Sequence, residues 1–394
     1  MGPRQRKHKT KHSKSLEKKE RDQDTIRAIN QLLETEPIDF VALRRIAAVR
    51  GLVSNEVRAR VWPILLGVQP KGLDQTLYQV AACNPHRDSS VVDVDVQRSL
   101  WSYTEGWTDA EREEKRTELR TCLNAVIGKS QGELFYYQGL HDVASVLLFV
   151  AGEGAAMQML DRLVNCHFRD CTRNTLDAVL ELLTLVMPIL EQVDPELHRH
   201  ISATEVQPFF ALSWLITWFS HNVPELDNAA RIFDVFLSSH PLMPLYFAAA
   251  TMKSARAHIL ACECDLAEMH RLLNNLPILR WATADQLAQE AVQAYKEAPP
   301  QTLLKQYRLR MLRSTTASAR LESDHYEVPA EPPLQQGLVP RERLSALAGV
   351  LMPSDPAGRR RRLSYISGSI ITLGFAVVVV LTGLNQRLAD GGRV

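Results

Sequence analysis

Three short segments concentrate the residue types that could do chemistry: VRARVWPILLG at 57–67, VDVDVQRSL at 92–100 and FYYQGLHDV at 135–143. They supply Arg58 and Trp62, then Asp95 and Arg98, then Tyr136, Gln138, His141 and Asp142. A guanidinium is planar, permanently charged and rich in donors, so it suits an anion that gathers charge during a reaction. A carboxamide donates and accepts, so it can orient a water molecule while adding no charge of its own. Asp95, three residues before Arg98, could direct that guanidinium or cap its segment. The chain carries no glycine-rich phosphate loop, HExxH, GxSxG or Walker lysine motif, which excludes the self-contained hydrolases and kinases that depend on them.

These residues need elements to hold them. Apolar residues recur every three or four positions in 25–48, 111–127, 155–167 and 176–201, and no βαβ alternation appears, so the predicted class is all-α. In a helix following Gly132, the residues Leu140, Val143, Ala144, Leu147 and Leu148 make an apolar stripe. Gln138, His141, Asp142 and Ser145 fall opposite, which predicts an outward Gln138 and a surface or structural His141. Val92, Val94 and Val96 alternate with Asp93, Asp95 and Gln97, a pattern that by period alone reads as a half-buried strand. Pro188 should kink or divide its helix. The run FFALSWLITWF at 209–219 is too short to span a membrane and reads as a buried central helix. Trp62, beside Leu65 and Leu66, reads as a core anchor.

The 394 residues carry 46 Lys/Arg against 45 Asp/Glu, so the molecule lacks the basic excess of a protein held to nucleic-acid phosphates. Residues 1–22 nevertheless hold nine of the basic and three of the acidic side chains, and 1–24 reads as a disordered basic arm. Six scattered cysteines without a signal peptide predict reduced thiols. Cys262 and Cys264, with Cys166, His167 and His258, can be assembled as a metal site only on paper, so none is expected. One more helix is expected at 301–320, a Pro-rich flexible linker at 321–362 and a short lumenal tail at 385–394. Between the last two, residues 363–384 are 22 in number without a charge, about 33 Å as a helix against a hydrocarbon core of about 30 Å. Arg359–Arg362 before this transmembrane helix place the bulk of the chain in the cytosol as a single-pass, tail-anchored protein. The moderate hydrophobicity of the span suits the thin endoplasmic-reticulum membrane.

In order and spacing the three segments resemble the signature motifs of TBC-domain proteins, the GTPase-activating proteins of Rab GTPases. Arg58 and Trp62 match the first motif, Val92, Asp95 and Arg98 the second, and Tyr136 and Gln138 the third. The likeness covers roughly residues 45–250 and implies a multi-helix domain over 25–300, with a helix or loop instead of a strand around Arg98. It also implies that Arg98 is an arginine finger and Gln138 a glutamine finger, lent in trans to a GTP-bound Rab, with Asp95, Tyr136, Arg58 and Trp62 in support. GTP and magnesium would arrive with the Rab, so no cofactor of the chain's own is expected. YYQGLHD, the LSWLITWF run and the C-terminal anchor resemble an endoplasmic-reticulum member of the family, which implies a role in early secretory (ER–Golgi) traffic, with other ER membrane proteins as further partners. Tyr137, His141 and Phe233 depart from the residues common in the family, which bears on partner choice. A non-catalytic Rab-binding membrane adaptor and a plain helical tether are the alternative readings.

Overall fold

Helical hydrogen bonding closes wherever apolar residues recur at helical spacing, because one face of each segment can then leave water. A computed structural model describes residues 3–68 and 75–307, all inside the unit Met1–Glu327. The expected linker, transmembrane helix and tail at 321–394 lie outside the described residues, as do residues 308–320 of the expected extra helix.

The described residues hold α1 (Pro3–Leu33), α2 (Phe40–Arg50), α3 (Asn55–Leu65), α4 (Gln75–Cys83), α5 (Ser89–Gln97), α6 (Asp109–Lys129), α7 (Leu140–Asn165), α8 (Asp177–Leu183) and α9 (Val186–Val193). There follow α10 (Pro195–Ser202), α11 (Leu212–Ile216), α12 (Leu226–Ser238), α13 (Met243–Ser254), α14 (Arg256–Leu260), α15 (Leu266–Asn274), α16 (Ala284–Glu297) and α17 (Pro300–Gln306), with 3-10 turns at Trp101–Tyr103 and Pro208–Ala211 and no strand. Polar side chains start several of them. Asp39 accepts from the Ala42 N–H at α2, and Thr108 with Glu111 and Thr283 with Gln286 form reciprocal capping boxes at α6 and α16.

The centre is aromatic. Trp218 packs on Phe168, Phe233 and Phe236 at centroid distances of 4.8, 5.2 and 5.4 Å, and Phe219 packs on Phe247 at 4.9 Å. Around these rings α12 is buried continuously from Ala229 to Ser238. Pro188 divides its segment as expected. The break between α8 and α9 falls at Thr184 and Leu185, where the proline ring would crowd the carbonyl four residues back.

Three elements differ from the sequence reading. The structure draws α1 from Pro3, through residues read as a disordered arm; Lys, Glu, Gln and Arg are good helix formers, and the helix is docked by buried Thr25 and Ile29. Residues 92–98 do not form the strand that period alone suggested but the helix that the family resemblance implied: α5 buries Val92, Asp95 and Val96 and exposes Val91 and Val94, which is helical spacing. The run at 209–219 is buried but is no single helix. It passes from a 3-10 turn through α11 into left-handed backbone at Trp218 and Phe219, φ 50 and 66, because the packing of both rings outweighs about 1–2 kcal/mol per left-handed residue.

By length and composition α7 could cross a membrane, but it lies in the core and breaks at Gly152 (φ 76, ψ 168), leaving two halves under about 20 Å each.

Candidate functional site

Arg58 and Trp62 sit one helical turn apart on α3 and meet a single carboxylate, that of Asp234 on α12, which is wholly buried. Arg58 Nε donates to both oxygens at 3.1 and 3.2 Å, and Arg58 Nη2 donates to Oδ2 at 3.1 Å. Trp62 Nε1 donates to Oδ1 at 2.8 Å and the Leu52 N–H to Oδ2 at 3.0 Å. A buried charge pair whose carboxylate oxygens are both satisfied is a rigid tie. Arg58 and Trp62 therefore fasten α3 to α12 and do not face a ligand.

Arg98 is different. It caps the C-terminus of α5, where a cation also meets the helix dipole favourably, and its side chain is 48% exposed. Its Nη2 donates to Asp95 Oδ1, one turn earlier, and Asp95 is buried. The guanidinium is thus held at one corner while the remainder faces solvent. Val91 and Val94 are exposed on α5 at helical spacing from Arg98, whereas Trp101, also exposed, lies past the left-handed Leu100 with the guanidiniums of Arg112 and Arg116 over its ring.

The other oxygen of Asp95 receives Tyr136: the hydroxyl donates to Oδ2 at 2.9 Å. Tyr136 lies in the segment before α7, which is pinned again where its N–H donates to Asp88 Oδ2 at 2.9 Å. Tyr137 donates its hydroxyl to the Ile216 carbonyl at 2.9 Å. Between these anchored tyrosines and α7 lies the turn Gln138–Gly139. Gly139 adopts φ 112, and a Cβ there would stand 2.8 Å from Thr217 Cγ2, so only glycine fits. Gln138 is half-buried in this turn, ahead of α7. The expected helical face was therefore wrong in origin: Gln138 precedes the helix, and His141 and Ser145, placed opposite the apolar stripe, are both buried.

Charge around the turn is arranged in pairs. Burial, then the neighbouring Asp95 carboxylate, pushes the Tyr136 phenol well above the ordinary tyrosine range, so it remains a donor. Burial pushes the Asp142 carboxyl up, but His141, the hydrogen bond from His221 and the charge of Arg98 outweigh it and hold the group below the usual carboxylate value. His221 Nδ1 lies 3.0 Å from Asp142 Oδ2, and that hydrogen bond raises the imidazole above its ordinary value against the opposing effect of burial. Among the described residues no group of three His, Cys, Asp or Glu could hold a metal ion, so Cys166, His167 and His258 form no such site.

The Rab-GTPase-TBC domain family matches residues 55–260, which spans all three motifs. The chain belongs to the TBC-domain family. It is 33% identical over 366 residues to TBC1 domain family member 20 of Homo sapiens, covering 90% of this chain and 87% of that protein. It is also 33% identical over 230 residues to the GTPase-activating protein gyp10 of Schizosaccharomyces pombe, covering 58% of this chain and 61% of that one. The crystal structure of the Ypt/Rab-GAP domain of Gyp1p matches with a TM-score of 0.56 at 16% identity, over 70% of this chain and 98% of that chain, a likeness of fold.

Within this TBC domain the tertiary fold joins Asp95, Arg98 and Tyr136 by direct bonds, with Gln138 two residues from Tyr136, and sends Arg58 and Trp62 elsewhere. Sequence reasoning missed Asp234, the acceptor for the first motif, and His221, the partner of Asp142. Neither has a local pattern to find it by. Asp88 was missed too, although a carboxylate just before α5 was visible.

Proposed function

We propose that this chain is a GTPase-activating protein for Rab GTPases, which inserts Arg98 and Gln138 into the nucleotide site of a GTP-bound Rab. The observation that carries the reading is the half-exposed Arg98, held at its base by the same buried carboxylate that anchors the Gln138 segment through Tyr136. Phosphoryl transfer to water gathers negative charge on the transferred group, and a guanidinium meeting it is worth about 10³–10⁵ in rate. Asp95 orients the guanidinium without neutralising it fully, since one face stays open. Gln138 would align the attacking water, accepting its proton-side contact and donating to the phosphoryl oxygen. Exposed Val91 and Val94 on α5 offer the Rab apolar contact area beside Arg98. GTP and magnesium are the partner's, so the chain brings no cofactor and has no active site of its own.

The uncharged run at 363–384 supports tail-anchoring, with the catalytic domain cytosolic, and its moderate hydrophobicity, with the motif resemblance, supports an endoplasmic-reticulum setting and early secretory traffic. In single-turnover GTP hydrolysis across a panel of Rabs, the full chain should accelerate at least one. Arg98→Ala and Gln138→Ala should each remove most of that acceleration. A non-catalytic adaptor would instead bind GTP-loaded Rab at unchanged hydrolysis, and equal activity of both variants with wild type would overturn the assignment.

A further inference from the structure

The bonds around Asp95 include one group that the proposed chemistry does not use, the buried imidazole of His141. Its Nδ1 lies 3.1 Å from Tyr136 Oη and 3.5 Å from Asp95 Oδ2, and its Nε2 lies 3.5 Å from Asp142 Oδ1. The Tyr136 hydroxyl has one proton. It goes to Asp95, because an ionised carboxylate can only accept. The phenolic oxygen is then left as an acceptor, and His141 must carry its proton on Nδ1 to meet it. On its far side the ring faces Asp142, whose carboxylate is shared with His221. One imidazole, carried by the first turn of the helix that follows Gln138, thus stands against the bonds of the carboxylate that holds Arg98.

We propose that His141 is a positioning residue: by donating Nδ1–H to Tyr136 it directs the hydroxyl onto Asp95, and so registers the turn that carries Gln138 against the carboxylate that holds Arg98. This rests on the reading of Arg98 and Gln138 as fingers. His141 is buried and touches neither nucleotide nor water in that reading; it acts through Tyr136 and Asp95. With no donor at Nδ1 the hydroxyl can rotate away from Asp95, and Arg98 and Tyr136 lose their common hold. Displacements near 1 Å at reacting groups cost up to about 10²-fold in rate, and a loosened hold should cost about tenfold.

Shape and hydrogen bonding can be separated at this position. Phenylalanine keeps the ring and removes the nitrogen, whereas the asparagine amide nitrogen stands about where Nδ1 does. The test uses the full chain and a GTP-loaded Rab that the wild-type protein activates, reading the maximal single-turnover rate, the half-saturating concentration and thermal melting. His141→Phe and Tyr136→Phe should each lower the maximal rate about tenfold with half-saturation within about twofold. Their double variant should be no slower than Tyr136→Phe, since the His141 link acts only through the hydroxyl which that variant removes. His141→Asn should recover most of the rate. An unaltered rate in His141→Phe, a rate in His141→Asn as low as in His141→Phe, or an effect on half-saturation alone overturns the proposal. Should His141→Phe not melt cooperatively, Tyr136→Phe removes the acceptor of that bond together with the bond to Asp95, and an unaltered rate there is equally fatal. Arg98→Ala runs alongside. If it hydrolyses undiminished, the finger reading fails and takes this inference with it; if it is inactive beside a normal His141→Phe, the inference alone fails.

Discussion

Replacing Asp234 with alanine would strip one buried carboxylate from four donors at once: two nitrogens of Arg58, the Trp62 indole N–H and the Leu52 main-chain N–H, with Arg58 Nε shared between both oxygens. Arg58 would remain as a buried, uncompensated cation, at a cost of about 3–5 kcal/mol. The stranded indole and amide donors add about 1–3 kcal/mol between them. Against a typical stability of about 5–15 kcal/mol, a loss of about 4–8 kcal/mol brings the domain close to unfolding. Urea titration followed by tryptophan fluorescence reads this directly, since Trp62, Trp214 and Trp218 are all buried. Arg98→Ala is the contrast: it leaves the buried Asp95 carboxylate short of one donor, but Tyr136 still donates to the other oxygen and water can enter from the exposed side, so it should cost about 1–3 kcal/mol. The first motif would then lose activity through loss of folded protein, and the second while the domain still folds. A loss under about 1 kcal/mol in Asp234→Ala would refute the claim that this carboxylate ties α3 to α12.

The His221–Asp142 pair should give stability a bounded pH window. His221 is raised by Asp142, so its contribution is complete below the ordinary histidine value of about 6.5 and is lost as pH climbs through the folded-state value above it. Asp142 is held low, so its contribution is complete above the ordinary value of about 3.9 and is lost as pH falls through the folded-state value beneath it. The melting temperature of wild type minus that of His221→Gln should therefore be largest between about pH 4 and pH 6.5 and shrink towards pH 8.5; an equal difference at pH 5 and 8.5 would contradict the pairing. Gly139→Ala should destabilise by about 1–3 kcal/mol in the same urea titration, because φ 112 is strained for alanine and the new methyl meets Thr217; an unchanged midpoint would mean the turn adapts freely.

The division of labour among the motifs follows from where each side chain can go. Trp62 was legible as a core anchor because a large ring beside two leucines buries area in any helical packing. The break before Pro188 was legible because its cause is local to the backbone. The segment around Arg98 was misleading by itself. Alternating Val and Asp satisfies a strand period, yet Val94 faces solvent and Asp95 faces inward, an inversion of the polarity pattern that holds only because Arg98 and Tyr136 satisfy both carboxylate oxygens. Gln138 was placed outward for a helix that begins only at Leu140, since a glycine at φ 112 delays it.

Composition and residue order alone determined the helical class, the three motif segments, the uncharged run at 363–384 and the residue types able to meet a phosphoryl group. These are properties of short windows, where propensity and periodicity act over a few neighbours. Only the tertiary structure decided which of those residues share a carboxylate. Asp95 and Tyr136 are 41 positions apart, and Arg58 and Asp234 are 176. Hydrogen bonds between such distant groups exist once a core has brought α5 to the turn before α7 and α3 to α12, and until then nothing in either neighbourhood encodes the other.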